Sequence, residues 1–436
     1  MRSVRRWHRA RYNLRRMISV NLPALLEKNL SERDRDLLAH VRRMAEAERL
    51  RVYLVGGFVR DLLLGLTPDD FDFVVEGDAP VFARAVARLL GGDVTVHAPF
   101  GTATRFGPYG AAIDFATARA ETYPRPAALP QVTPGASIAA DLSRRDFTIN
   151  AMALRVDGAH FGELLDLHGG QADVATRVVR VLHPGSFLDD PTRLFRAVRY
   201  EQRLGFHIAP DTLALIPGAW DSLAVLTGDR VRHEFELIFR EPHAIQMLIR
   251  LDGLEILRHL HPALRWGERE SARAGIIPAL PFTRWQLTSL PESDALYFGL
   301  MLGAASPAEV TDALARLNTN GIVSRAVAEA VNLKIAWSRP SEAVAALDGL
   351  SELGAIAAYV LKEEYRSALN DYLVRWRFVR AETTGDDLIA RGLTPGPRFK
   401  QILWKLRAAW LDGEVSDRAG ERDLLRRLLA EDGINA

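Results

Sequence analysis

The chain contains no cysteine. Disulfides, cysteine zinc sites and thiol nucleophiles are therefore all excluded. It also lacks any apolar run near the roughly 18 residues that a membrane helix needs. Neither charge dominates: 56 Lys and Arg stand against 55 Asp and Glu, so a net charge of +1 by itself indicates no nucleic-acid partner. The phosphate-loop pattern GxxxxGK[ST] and the dinucleotide pattern GxGxxG are both missing. No short repeat points to a solenoid or propeller.

What is present has the balance of a folded protein. Hydrophobic residues make up 48% and charged residues 25% of 436 positions, a length that exceeds one ordinary core. The first sixteen residues hold seven arginines with no apolar stretch behind them, which does not read as a secretory signal. This arm either touches a phosphate backbone or is a solvated terminus. A cytoplasmic protein without membrane association is the expectation.

Local patterns divide the chain. Residues 20–49 read as helix, with Ser31 as an N-cap before ERDRDLLAHVRRMAEAE. RVYLV is a short β-branched strand ending at Gly56 and Gly57, and FVRDLLLG returns to helix. DDFDFVVEG alternates as a strand does, and PVFARAVARLL is helical. DVTVHAPFGTATRFG and AAIDFATARA read as two further strands joined by a turn at 107–110. The order predicts a small mixed sheet with helices on one side. Residues 122–137 are proline-rich and predicted irregular, either an adjustable loop beside a site or a plain connector. From about residue 188 the pattern is almost wholly helical, beginning with DPTRLFRAVRYEQRLGF, which Asp189 or Asp190 is expected to open.

The chemistry-bearing residues lie in the first half. Asp70 and Asp72, at i and i+2 of a strand-like run, leave one face. Two anions held together favour a divalent cation between them. Asp114, in AAIDFATA, would add a third oxygen if its strand is a neighbour. Such a set suits Mg2+ better than zinc; the alternative is that strand-end aspartates are simply solvated. Gly56 and Gly57 end a strand before a helix, where backbone N–H groups can approach a triphosphate. Arg60, on the first helical turn, pairs either with a phosphate or with an acidic residue. SRRDFTIN supplies Arg144, Arg145, Asp146 and Asn150. The adjacent arginines cannot share a helix face, so one at most reaches a ligand unless the backbone turns. Asn150 could hold a ribose hydroxyl or cap local backbone. In DDPTRLFRAVRY, Asp190, Arg193 and Arg196 fall at i, i+3 and i+6. An Asp accepts from an exocyclic amine and an Arg donates to ring acceptors, a pairing that suits cytosine and adenine. An intrahelical salt bridge is the other reading.

Together, LVGGFVRDLLLG with DDFDF, SRRDFTINAMA, DDPTRLFRAVRYEQRLGF and GDRVRHEFELI resemble the motifs of the bacterial tRNA nucleotidyltransferase (CCA-adding enzyme) and poly(A) polymerase family, in class II of the polymerase-beta-like superfamily. The strong likeness covers about residues 50 to 240, and GLTPGPRFKQILWKLRAAWLDGEV is similar to the family's tail. The resemblance implies an α/β nucleotidyltransferase head followed by a mostly α-helical neck, body and tail. On this chain that places an N-terminal basic arm and helix at 1–49, the head at 50–180, a nucleotide-selecting neck at 181–245, the body at 246–380 and a tRNA-binding tail at 381–436.

It also implies addition of C and A from CTP and ATP to the tRNA 3′ end without a nucleic-acid template, releasing pyrophosphate. Addition of the terminal A alone is the alternative; CC addition and poly(A) synthesis are further ones. By family roles, Asp70 and Asp72 bind Mg2+, and Asp114 lies near the attacking hydroxyl. Asp190 and Arg193 act as a protein template, and Arg196 helps hold the nucleotide. Gly56, Gly57, Arg60, Arg144, Arg145 and Asp146 build the triphosphate and head–neck site. Two departures stand out. The selecting motif begins Asp189-Asp190 where the family usually has Glu-Asp. The loop opening with Arg119 and Glu121 lacks the family's D-rich, R-rich form, yet it is not truncated, which disfavours CC-only addition.

Overall fold

The computed structural model describes residues 21–68, 70–107, 112–287 and 292–430. The Arg-rich arm, and most of the turn expected at 107–110, lie outside these. The chain forms two compact units, divided between Leu226 and Thr227, so the expected neck segment 181–245 is split at that point.

The first unit is built on a seven-stranded sheet. Its strands are β1 (Arg51–Val55), β2 (Phe71–Glu76), β3 (Asp93–His97), β4 (Thr102–Phe106), β5 (Ala112–Thr117), β8 (Met152–Arg155) and β9 (Leu164–Asp166). Their order is β3-β4-β5-β2-β1-β8-β9. Only β2 and β5 run parallel; every other neighbouring pair is antiparallel. Two strands, β6 (Arg119–Thr122) and β7 (Gln131–Pro134), pair outside this sheet as an antiparallel hairpin. Another two, β10 (Val178–Val179) and β11 (His207–Ile208), form a parallel pair.

Side-chain alternation decides what each face covers. Phe71 and Phe73 of β2 stack in line, Phe73 stacks on Phe115 of β5 with ring centres 5.2 Å apart, and Phe82 meets Phe115 edge-on. Phe82 belongs to the helix Ala79–Leu90, capped by Asp78, which closes this face. Against the opposite face lie Tyr53, Val55, Val74 and Ala153, under Ile138 and Leu142 of the helix Ile138–Ser143. Helices therefore cover both faces, not one as the pattern predicted. The earlier helices agree with expectation: Ser31 accepts from the Asp34 N–H at the start of Glu32–Ala47.

Two other expectations are corrected. The run from residue 93 to 106 is two strands, because Ala98–Phe100 turns into Gly101, which adopts φ +60°. The proline-rich segment holds the β6–β7 hairpin and is not irregular throughout. A two-stranded ribbon has only edges, where the missing N–H of Pro134 disrupts no central ladder.

Beyond Ile208 the described residues contain helices and turns only. The second unit has an aromatic core in which Phe239 stacks on Tyr297 and meets Phe298 edge-on. Its last part has a small core of its own, with Leu388, Phe399, Ile402, Leu406, Leu425 and Leu429. Among the described residues no single helix is long and apolar enough to cross a membrane.

Candidate active site

The parallel pairing of β2 with β5 sets Asp72 directly opposite Asp114. Parallel neighbours in register point their side chains the same way, so two carboxylates share the sheet face that carries Val74. Asp70 lies one residue before β2. Asp72 remains open to solvent, but the surrounding protein, and then the Asp114 and Asp70 charges, push its pKa up against the pull of Arg145. Thr104 of β4, opposite Asp114, donates its hydroxyl to that carboxylate.

The glycine turn follows β1. Gly56 adopts φ +67°, a conformation that favours glycine, and heads the helix Gly57–Leu63. A Cβ on Gly56 would lie 3.0 Å from Arg145 Nη1. Glycine thus suits the position twice, for the turn and for the close approach of the guanidinium. The Gly56 N–H goes to the Met152 carbonyl, continuing the β1–β8 ladder.

Arg144 and Arg145 follow the helix Ile138–Ser143 and both fold back to Asp141, which is fully buried. Arg144 takes one carboxylate oxygen through Nε and Nη2, at 3.0 and 2.8 Å. Arg145 takes the other through Nε and Nη2, at 3.3 and 2.9 Å. Arg144 also reaches Glu121 of the hairpin, at 2.9 Å. Glu121 in turn accepts from Arg119 and from the Tyr123 hydroxyl.

A second polar chain runs from the glycine-turn helix to the helix Thr192–Leu204. Arg60, 6% exposed, clasps the neighbouring Asp61 through Nε and Nη2 and donates from Nη1 to Asn150. Of its two open readings, this is pairing with an acidic residue. Asn150 donates to Asp146, and Arg196 clasps the other Asp146 oxygen at 2.9 and 2.6 Å. Burial would raise the Asp146 pKa, but Arg196, Asn150 and Arg193 hold it below the usual value. The Tyr200 ring lies under both Arg60 and Arg196.

Arg193 is 4% exposed and held by protein: Nη1 donates to the Ser186 hydroxyl at 2.6 Å, and Nη2 to the Arg144 carbonyl at 2.9 Å. The Tyr123 hydroxyl stands 3.5 Å from Nη2, and its pKa is pushed up to about 12, chiefly by burial. Asp190 departs from expectation. The helix begins at Thr192, and Asp190 precedes it in an extended conformation, accepting from the Thr192 N–H and hydroxyl. The three residues therefore do not share a helix face: only Arg193 and Arg196 belong to the helix. The residue before a proline is pushed out of the α region, and Pro191 does this to Asp190.

The fold thus brings Gly56, Arg145, Asp72 and Asp114 together. It joins Arg60, Asn150, Asp146 and Arg196 in one chain of hydrogen bonds, and it ties Arg193 to the backbone of Arg144. Asp141, Tyr123, Ser186 and Tyr200 were not singled out from sequence. Only Asp141 had a visible signal, an acid three and four residues ahead of two arginines.

Comparison with known proteins agrees with this arrangement. A family model described as "Poly A polymerase head domain" matches residues 52–180, and one described as "Probable RNA and SrmB- binding site of polymerase A" matches 205–266. An A-adding tRNA nucleotidyltransferase of Geobacter sulfurreducens is 35% identical over 94% of this chain and 49% of its own length. The chain thus spans about half the length of that relative. A CC-adding tRNA nucleotidyltransferase of Deinococcus radiodurans is 33% identical over 92% of this chain and 95% of its own. The structure of a Thermotoga maritima CCA-adding enzyme complexed with tRNA_CCA superposes with a TM-score of 0.73 at 28% identity, over 94% of this chain and 98% of the other. With its head sheet, its glycine turn and its carboxylate pair all in place, the chain belongs to the bacterial tRNA nucleotidyltransferase and poly(A) polymerase family.

Proposed function

We propose that the chain adds the terminal adenosine to tRNA, transferring AMP from ATP to a 3′ end that stops at CC. The observation that carries nucleotidyl transfer is the register pairing of Asp72 with Asp114 beside Arg145, where Gly56 leaves room for the guanidinium. The untruncated β6–β7 hairpin supports an A-incorporating enzyme over one that adds CC alone. The A-adding relative favours adenosine as the sole addition. A second reading, addition of both C and A from CTP and ATP, is supported by the Asp190 and Arg193 chemistry, which suits both bases, and by the likeness to a CCA-adding enzyme.

The donor set fits Mg2+. All candidate ligands are carboxylate oxygens, and burial, then the neighbouring Asp114 and Asp70 charges, push the Asp72 pKa up, which a bound cation would relieve. Among the described residues no group of three His, Cys, Asp or Glu side chains is arranged to hold a metal. Magnesium takes only one or two protein carboxylates and completes its shell with water and phosphate, so Asp70 and Asp72 suffice. When bound it would supply Lewis-acid charge stabilisation for phosphoryl transfer.

The chain's own residues do the rest. Arg145 binds phosphate oxygens and neutralises charge developing on them. Asp114 accepts the proton of the tRNA 3′ hydroxyl. The hydroxyl oxygen attacks the α-phosphorus in line, its new bond to phosphorus forms as the bridge to pyrophosphate breaks, and pyrophosphate leaves. Asp190 and Arg193 are the base-reading pair that the family likeness implies, with Arg193 held behind the site on the Ser186 hydroxyl and the Arg144 carbonyl, and tRNA is held by shape and backbone charge.

The test is incubation with magnesium and labelled ATP or CTP, using tRNA that ends before CCA, after C, or after CC. AMP incorporation on the CC end alone supports the first reading. CMP incorporation on the shorter ends moves the answer to the second. Long A tails on unrelated RNA point instead to poly(A) synthesis.

A further inference from the structure

Arg145 uses only part of its guanidinium within the protein. Nε and Nη2 are fixed on one oxygen of Asp141. Among the described residues Nη1 has no hydrogen-bond acceptor, and it is this atom that lies against the bare Cα of Gly56. Asp141 is 0% exposed, so its charge is compensated by the arginines and the Arg119 N–H that reach it. A buried carboxylate with this many donors is a rigid anchor.

We propose that Asp141 is a positioning residue: it holds Arg145 by one edge and leaves the other edge fixed over the glycine turn, open to the phosphates of the nucleotide. This rests on the nucleotidyl-transfer reading. The same carboxylate acts on the base side. Its second oxygen fixes Arg144, whose carbonyl holds Arg193 and whose guanidinium holds Glu121 of the hairpin. One side chain therefore sets the phosphate-facing arginine and the backbone that supports the base-facing one.

The geometry also resolves how two adjacent arginines can serve one site. They do not point the same way; they grip opposite oxygens of a single anion. Arg144 places its third nitrogen on Glu121, which leaves Arg145 as the arginine of this pair with a nitrogen open to a ligand.

The test compares Asp141→Asn with the unaltered chain, measuring KM and kcat for ATP on CC-ended tRNA. Calorimetry of ATP and of inorganic tripolyphosphate with magnesium accompanies it, without tRNA. Loss of a charge-assisted anchor is expected to weaken tripolyphosphate on the order of tenfold and ATP by at least that factor. Adenosine, which has no phosphate, is expected to lose less, through the Arg144 support of Arg193 alone. In an Arg145→Ala background, Asp141→Asn is expected to add nothing to the loss of tripolyphosphate affinity, since both substitutions remove one device. Additive losses in that background would overturn the proposal. So would a lowered melting temperature with unchanged affinity for both ligands, the result of a purely structural role. If the unaltered chain binds ATP but transfers no AMP, the proposed function fails while the affinity comparison still decides the role of Asp141.

Discussion

Asp72 occupies a place where its own charge is disfavoured. The surrounding protein, Asp114 and Asp70 all raise its pKa, and only Arg145 opposes them. At neutral pH the carboxylate is therefore a cost to the metal-free fold, and a cation removes that cost. Asp72→Asn is expected to raise the metal-free melting temperature by roughly one or two degrees. The same variant should lose most of the stabilisation that magnesium and ATP give the unaltered chain. A thermal scan with and without both ligands measures this; an equal ligand-induced gain in the two proteins would count against Asp72 as a ligand. Asp146 is the opposite case. Its pKa is held down, so the folded state binds fewer protons than the unfolded one. Its contribution is complete above the ordinary carboxylate pKa of about 4 and is lost as acid carries it through the lower folded value. Asp146→Asn should cost about 2–3 kcal/mol at pH 7, below the figure for a fully buried pair because Arg196 keeps part of its side chain in water. Urea unfolding at pH 7 and pH 3 should show the difference between variant and parent shrinking with acid.

The β6–β7 hairpin gives the element-scale case. Glu121 ties it down, accepting from Arg119, Arg144 and Tyr123 while its side chain is only 7% exposed. Glu121→Gln should loosen residues 119–134 without disturbing the main sheet, which the hairpin does not join. Amide exchange in that segment is expected to speed up on the order of tenfold, for a local loss of about 1.4 kcal/mol, with AMP incorporation falling several-fold. Unchanged exchange would show that the hairpin is held elsewhere. This element was not legible in the sequence, because Pro124, Pro126, Pro130 and Pro134 erase the alternation by which strands are recognised. Asp190 differs from expectation for a related reason: the i, i+3, i+6 spacing presumes a helix that has already begun, whereas Pro191 forces the preceding residue to be extended. The carboxylate pair was legible because both strands alternate cleanly, Asp72 between Phe71 and Phe73 and Asp114 between Ile113 and Phe115. What spacing cannot supply is who meets whom across the fold. Arg193 on Ser186, or Arg60 on Asn150, is a tertiary fact.

At the scale of the whole molecule, the near-zero net charge gave no guide to function, and neither did the mainly helical second unit. That unit spends its charge locally. Glu421, 1% exposed, accepts from the Thr383 and Glu382 N–H groups and from Trp410, fastening helices that the sequence shows only as amphipathic. The functional signal was concentrated before Leu226, where all thirteen of the expected site residues lie. ATP with magnesium should therefore stabilise the two units unequally. At a ligand concentration 100 times Kd, binding adds about 2.7 kcal/mol to the unit that holds the site. Its slowest amides, those that exchange only when that unit unfolds, should slow by about a hundredfold. The slowest amides of residues 227–430 should keep their rates, because no expected nucleotide-binding side chain comes from them. Hydrogen exchange read by mass spectrometry separates the cases. Equal protection of both units would mean that the nucleotide site draws on the helical unit as well, and the search for base-reading residues would have to extend beyond Asp190 and Arg193.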